Sequence, residues 1–333
     1  MKFIEAVKQL IPCHHWHILA FASIFCINST QAEQLLFEKT KLTNSYQYHF
    51  AWLDLNKTKQ ALSFRLPQKN VNNDYRHFKA LRPSLLKMHS LRKLKQAIGK
   101  IDPRQGQVRL LPGYQTIEFE IKGQDSEWVN RTSQELNRLY LESLKEYLYR
   151  EYYVEFSGFH RHVGGGVVSY KPDHRRFIEE SGASLQPVID AINELMPRAS
   201  ARNVAKFILP WIQNMPYNEM ESRTESNGAG FLPPIKVVDL NRGDCDSKVS
   251  LMAALLKHMY PRLRIAIIYI PNHALIGFNV SHLQEDYTLD IDGLDYTLAE
   301  PVGPDMIKFA DISQRSKQYI ESGNYQVELL FNR

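Results

Sequence analysis

The chain has 333 residues, of which 44% are hydrophobic and 23% are charged, and its formal net charge is +5 at pH 7. These proportions are typical of a globular protein and exclude a disordered chain. The length is sufficient for two domains of ordinary size. The small positive charge is compatible with an acidic partner but does not argue for one, so no nucleic-acid partner is expected.

The first 32 residues have the pattern of a secretion signal. Lys2 and Lys8 lie in a polar stretch, an apolar run follows over residues 18–27, and residues 30–32 (Thr-Gln-Ala) offer a small-x-small cleavage site. The apolar run is too short to span a bilayer as a helix. We therefore predict a signal peptide over residues 1–32 and a soluble mature protein that is periplasmic or secreted. An uncleaved anchor is the alternative, because the polar stretch before the apolar run is longer than usual.

Residues 33–185 are predicted to form an N-terminal α+β region, whose role the sequence does not indicate. Residues 46–55 alternate between apolar and polar side chains, and a polar turn separates them from a second such run over 61–66, which is a hairpin pattern. The other elements predicted here are one or two helices within 75–98 broken at Pro83, a strand over 114–122 and a long amphipathic helix over 126–153.

Residues 186–333 are predicted to form a second domain. The elements expected in it are helices over 186–195 and 199–214, a polar loop over 218–234, an apolar helix after Gly243, and strands over 264–270, 274–280, 287–291 and 294–298. The last two strands are joined by Asp292-Gly293, a tight-turn pair. A helix followed by several strands, without alternation of strand and helix, indicates an α+β fold.

Cysteine usage draws attention to Cys245. The chain has three cysteines, and Cys13 and Cys26 lie within the predicted signal peptide. A lone thiol in an oxidising compartment cannot form an internal disulfide, and it is a reactive liability unless it is buried or used. Cys245 follows Gly243-Asp244 at a predicted helix N-terminus, where the helix dipole and free N–H groups stabilise a thiolate. A small buried hydrophobic side chain is an equally good interpretation of this feature alone.

Three polar side chains stand where they leave the packed core and are able to converge. Cys245 begins a predicted helix, His273 begins a predicted strand and Glu300 ends another. A nucleophilic thiol needs a nearby imidazole that takes its proton and returns it to the leaving group. A third polar group fixes the orientation and tautomer of the ring, and N–H groups at the helix start stabilise an oxyanion. We predict that these three residues are catalytic, although the spacing alone is also consistent with structural roles.

Four segments around these residues occur in a recognisable order: 211–217 (WIQNMPY), 243–256 (GDCDSKVSLMAALL), 273–278 (HALIGF) and 296–301 (YTLAEP). They resemble the transglutaminase-like superfamily of cysteine proteases and amidotransferases, over roughly residues 196–303. The resemblance implies a papain-like α+β core, with Cys245 as the nucleophile and His273 as the base. It departs from the family at the third position, where Glu300 precedes Pro301 and the family usually has Asp before Pro-Thr.

The third member of the site depends on how the strands pair. If the three strands after His273 formed a simple meander, Glu300 would lie about seven residues, or roughly 23 Å, away from His273. Asp290 or Asp292, at the end of the second strand, would then be closer. Glu300 reaches His273 only if the third strand pairs antiparallel with the first, which the family resemblance favours. We therefore expect Glu300, with Asp292 as the alternative.

Neither a cofactor nor a metal is expected. Asp290, Asp292 and Asp295 around Gly293 echo part of a calcium-binding loop, but a hairpin turn is the simpler interpretation.

Two classes of function remain open. The first is a thiol-dependent amide hydrolase or acyltransferase of the cell envelope that acts on a protein or peptide; a transamidase is a variant in which an amine replaces water. The second is a binding or scaffold module that retains the fold without turnover. A cysteine, a histidine and an acidic residue in matching positions favour the enzyme.

Overall fold

The computed structural model describes residues 31–111, 117–156, 169–220 and 228–330. The predicted signal peptide therefore lies outside the described residues, except for its last two. Within the described ranges the protein is an α+β structure whose sheets pair their strands antiparallel. No helix in these ranges is both long and apolar enough to cross a membrane.

The elements follow in chain order. The strands are β1 (Gln34–Lys41), β2 (Ser45–Leu53), β3 (Lys59–Pro67), β4 (Gly106–Leu111), β5 (Glu118–Gly123), β6 (Tyr153–Phe156), β7 (Ser169–Pro172), β8 (Ile265–Ile270), β9 (His273–Phe278), β10 (Thr288–Ile291), β11 (Leu294–Ala299) and β12 (Gln326–Leu329). The helices are α1 (Gln68–Asn73), α2 (Pro83–Ile98), α3 (Ser126–Arg150), α4 (His174–Glu180), α5 (Gly182–Leu195), α6 (Ala201–Asn214), α7 (Pro234–Leu240), α8 (Cys245–Met259) and α9 (Gln314–Glu321).

Most of the predicted elements are confirmed. The predicted hairpin is β2–β3, and β1 extends it to a three-stranded sheet. Pro83 begins α2 instead of interrupting a helix. The loop predicted over 218–234 is confirmed for residues 218–220 and 228–233; Phe231 and Leu232 in it are buried, and α7 begins at Pro234, the last residue of the predicted range. Residues 221–227 of that loop and residues 114–116 of the predicted strand lie outside the described residues.

The central sheet decides between the two pairings considered above. Its strand order is β10-β11-β9-β8-β12, so β11 pairs directly with β9 and β10 is left at the edge. Leu298 opposes Gly277 and Ala299 opposes Ile276 in an antiparallel register. The simple meander is therefore wrong, and the antiparallel pairing that Glu300 requires is confirmed.

Strands β10 and β11 form the predicted hairpin. Asp292 and Gly293 connect them with φ values of 54° and 79°. These left-handed values are suited to an Asp-Gly pair at a tight turn. The backbone N–H of Gly293 also donates to the Asp290 side chain at 3.3 Å. The hairpin prediction is therefore confirmed, with Asp292 in the turn and Asp290 accepting from its backbone.

Helix α8 is the buried centre of the fold. Every residue from Ser247 to Leu256 is buried, because α8 contacts β8 and β9 as well as helices α4, α5, α6 and α7. A helix that is covered on all sides holds its N-terminus in a fixed place, and Cys245 lies at that terminus.

The same core extends into the region before residue 185. Trp211 of α6 is fully buried, and its ring lies 5.3 Å from the Phe50 ring and 6.3 Å from the Trp52 ring of β2. The N-terminal sheet therefore packs directly on the helices of the second predicted domain. The predicted domain boundary at residue 185 stays a prediction, but it does not separate two cores.

Replacing Trp211 by Ala is expected to lower the free energy of unfolding by about 3–5 kcal/mol, because it removes a fully buried ring and leaves a cavity. Urea unfolding measures the change. Leu195→Ala is the control, since Leu195 is 54% exposed and its truncation should cost within about 0.5 kcal/mol. Equal, small effects of both substitutions would contradict the shared core.

Candidate active site

The nucleophile candidate lies at the first position of α8. Asp244 is the N-cap, as its position before the helix favours, and its side chain accepts a hydrogen bond from the Ser247 backbone N–H at 3.2 Å. Cys245 follows as a free, partly exposed cysteine. Backbone N–H groups in this first turn have no partner within the helix, so they favour negative charge beside the sulfur.

The histidine approaches from the neighbouring strand. Strands β8 and β9 are joined by a two-residue turn, in which Asn272 has a φ of 59° and Ile270 pairs with His273. Asn is among the residues that tolerate this left-handed conformation. The turn places His273 Nδ1 2.9 Å from Cys245 Sγ.

Glu300 contacts the other ring nitrogen of His273. Its Oε1 atom lies 2.7 Å from His273 Nε2. The Ser313 backbone N–H donates to Oε2 at 2.8 Å, and the Ser316 hydroxyl donates to Oε2 at 3.3 Å. Glu300 is only 7% exposed, so these donors replace the water that a free carboxylate would bind.

Asp292 is not part of this arrangement. It lies in the β10–β11 turn, at the opposite end of β11 from Glu300. Six residues of extended strand separate the two positions, or roughly 20 Å. The structure therefore brings Cys245, His273 and Glu300 together and leaves Asp292 away from them.

The backbone at Glu300 is fixed by a buried amide. The Gln213 side chain donates to the carbonyl oxygens of Glu300 and Ile307, both at 2.9 Å. Gln213 is 1% exposed and lies in the last turn of α6. Sequence reasoning missed Gln213, Ser313 and Ser316, although Gln213 falls within the WIQNMPY segment.

The electrostatics fit a charged Cys–His pair. Burial lowers the pKa of His273, but hydrogen bonds to Cys245 and Glu300 outweigh it and raise that pKa to about 9. Burial likewise acts to raise the pKa of Glu300, whereas the hydrogen bond and charge of His273 lower it overall. The imidazolium and the carboxylate therefore stabilise each other at neutral pH.

A cleft of about 300 Å³ gives access to the sulfur and the imidazole. Tyr217 lines it and is 45% exposed. An isolated parallel bridge joins the backbones of Tyr217 and Gly243. The Tyr217 hydroxyl is hydrogen-bonded to Cys245. Burial, followed by the negative charges of Cys245 and Asp244, raises the pKa of Tyr217 to about 12. The hydroxyl therefore remains a hydrogen-bond donor at neutral pH.

A second series of polar contacts reaches the cleft and includes His174, which precedes residue 185. His174 of α4 is 1% exposed, and its Nδ1 atom lies 2.7 Å from the Tyr269 hydroxyl. That hydroxyl donates to Glu328 at 2.6 Å. On the other side, His174 Nε2 lies 3.3 Å from Asp246, the residue after Cys245. Burial, and then the nearby ammonium of Lys171, lower the pKa of His174, which favours a neutral ring.

The described residues contain no cluster of three or more His, Cys, Asp or Glu side chains arranged to hold a metal ion. Comparisons with protein-family models, curated proteins and solved structures find no match for this chain. The function is therefore argued from the geometry of the site.

Proposed function

We propose that this protein is a thiol-dependent amide hydrolase or acyltransferase with a transglutaminase-like, papain-like core. The observation that carries the proposal is the position of His273, whose two ring nitrogens contact Cys245 Sγ and Glu300 Oε1 at 2.9 and 2.7 Å. A nucleophile, a base and an orienting carboxylate in line are the geometry of a Cys-His-acid triad. The cleft beside the sulfur has room for a peptide group.

The proposed reaction follows from which groups of the site carry and transfer protons. The Cys245 thiolate attacks the amide carbon, and N–H groups at the start of α8 stabilise the oxyanion together with the Tyr217 hydroxyl. The His273 imidazolium gives its proton to the departing amine as the C–N bond breaks, which leaves a thioester. Water or a second amine then attacks the thioester while His273 takes its proton, and the thiolate is released.

Hydrolysis and transamidation share the thioester and differ in the attacking group. We favour a peptidase of the cell envelope, because water needs no binding site of its own and the N-terminal pattern is that of an exported protein. A protein-crosslinking transamidase is the variant, and a non-catalytic binding module is the competing class. In the region before residue 185, Phe156 lines the cleft and His174 contacts Asp246 beside it. We therefore assign this region a role in shaping substrate access.

Iodoacetamide alkylation of Cys245 across a pH series tests the proposal without knowledge of the substrate. We expect the rate to reach half of its maximum well below pH 8.5, the approximate value for an unperturbed thiol. The reason is that protonated His273, with its pKa raised to about 9, pairs with the thiolate throughout neutral pH. Mass spectrometry identifies the alkylated residue.

His273→Ala should move this midpoint up to about 8.5, because the cationic partner is lost. His282→Ala is the matched control, since His282 is exposed and lies outside the cleft lining. A wild-type midpoint at or above the unperturbed value would reject an activated thiol and favour the binding module.

A further inference from the structure

Lys248 is a buried cation one helical turn after Cys245. Its side chain has 0% exposure, and no other lysine or arginine among the described residues is buried. A buried ammonium loses its hydration, so it is retained only where hydrogen bonds or opposite charge compensate for the loss. The catalytic roles proposed above do not use this residue.

Within the part of the chain that the structure describes, Lys248 donates to one acceptor, the Met215 carbonyl, 2.5 Å from its Nζ atom. Met215 follows α6 and precedes the bridge between Tyr217 and Gly243. A neutral carbonyl satisfies one of the three ammonium protons but supplies no counter-charge. The compensating negative charge must come from elsewhere.

A negative charge on Cys245 or on Asp244 acts on Lys248 and raises its pKa. Asp244 is engaged at the helix cap, where its Oδ1 atom accepts hydrogen bonds from the Ser247 backbone N–H and the Ser247 hydroxyl. Cys245 precedes Lys248 by three positions on α8, so their side chains project from the same face. The sulfur therefore lies one helical turn from the buried charge and can share with Asp244 the role of its anionic partner.

The other titratable groups around the sulfur come from several elements. His273 approaches from β9, Tyr217 from the segment after α6, and Asp246 from α8 itself. Behind these groups, Glu300 contacts His273, and His174 of α4 contacts Asp246. Among the described residues around the sulfur, Glu300, Asp246 and Glu219 are acidic and oppose a thiolate, whereas His273 and Lys248 bring positive charge.

We infer that Lys248 is a positioning residue for the proposed reaction: its buried ammonium, one helical turn from Cys245, holds the nucleophile in its thiolate form. The inference rests on the proposed function, in which Cys245 reacts as a thiolate. Burial lowers the pKa of Lys248 to about 8, against the charges of Cys245 and Asp244, which raise it. The ammonium is therefore mostly protonated at neutral pH, where it can act.

The thiolate absorbs ultraviolet light, so its absorbance against pH reports the charge of Cys245 directly. In each background, the spectrum of the same protein carrying Cys245→Ala is subtracted. Lys248→Met removes the charge and keeps an unbranched buried side chain, and we expect the thiolate midpoint to rise by about one pH unit. Lys257→Met, in the last turn of the same helix, is the control and should superimpose on the wild type.

Lys248→Gln separates charge from hydrogen bonding, because its amide can still donate toward Met215 but carries no charge. We expect it to titrate like Lys248→Met. A Gln variant that titrates like the wild type would assign the effect to the hydrogen bond and overturn the inference. Loss of the fold in both variants, seen by circular dichroism, would make the ammonium a structural requirement and would also overturn it.

The two proposals fail in different ways. A wild-type thiol that titrates near its unperturbed value would reject the proposed function itself. A wild-type thiolate at neutral pH, with the Met and Gln variants superimposed on it, would reject only the role of Lys248.

Discussion

Replacing Cys245 by Ala is expected to abolish turnover, by about 10⁶-fold if the triad acts as a unit. The methyl group cannot form a thioester, and no other cysteine lies in the chain after residue 26. Cleavage of fluorescein-labelled casein measures hydrolysis, and incorporation of dansylcadaverine into casein measures transamidation. The same two assays on the wild type distinguish a peptidase from a transamidase.

Cys245→Ala should leave the fold unchanged, because Cys245 is at the partly exposed start of α8 and its removal leaves no large cavity. Thermal unfolding of the variant is the control for this statement. Binding of an inactive variant to a substrate that the wild type cleaves would fit an enzyme with a formed cleft. If the wild type processes neither casein substrate and its thiol is unreactive, the binding module becomes the better proposal.

Sequence patterns predicted the elements that carry the site because each of them has a strong local signal. Strand β8 is a continuous apolar run, and all six of its residues are buried. The Asp292-Gly293 pair marks the β10–β11 turn, and Asp244 marks the N-cap of α8. These signals act within a few residues, so a single sequence is sufficient to detect them.

The position of Glu300 depended on contacts that are distant in sequence. It required β11 to pair with β9 rather than with β10 alone, and periodicity does not specify which strands become neighbours. Only the family resemblance favoured the correct pairing. The donors at Glu300 were also missed: Ser313 is the N-cap of α9 and Ser316 lies in its first turn, and this short helix has few apolar residues to mark it in the sequence.

Two other misses have identifiable physical causes. Helix α7 was not predicted, although it begins at Pro234 and proline is well suited to the first turn of a helix. Lys248 lies in a helix that reads as apolar around it, and lysine is almost never fully buried. No local sequence pattern predicts a buried ammonium, because the residues around it come from α6, α8 and the segment between them.

Replacing Glu300 by Gln is expected to lower turnover by about 10³–10⁴-fold while the fold is retained. The amide has a single oxygen, which can accept the hydrogen bond from the Ser313 N–H that Glu300 accepts at 2.8 Å. Its NH₂ group then faces His273 Nε2 and donates to it. The ring proton is driven to Nδ1, which faces Cys245 at 2.9 Å and can no longer accept the thiol proton.

Asp292→Asn is the matched control for Glu300→Gln, because both substitutions exchange a carboxylate for its amide. Asn tolerates the left-handed backbone of this turn, where φ is 54°, so the hairpin should remain and turnover should be nearly unchanged. A crippled Asp292→Asn with a mild Glu300→Gln would contradict the strand pairing. If both variants were active while Cys245→Ala was inactive, the site would work as a Cys-His dyad, and the bond of 2.7 Å between Glu300 and His273 would be structural.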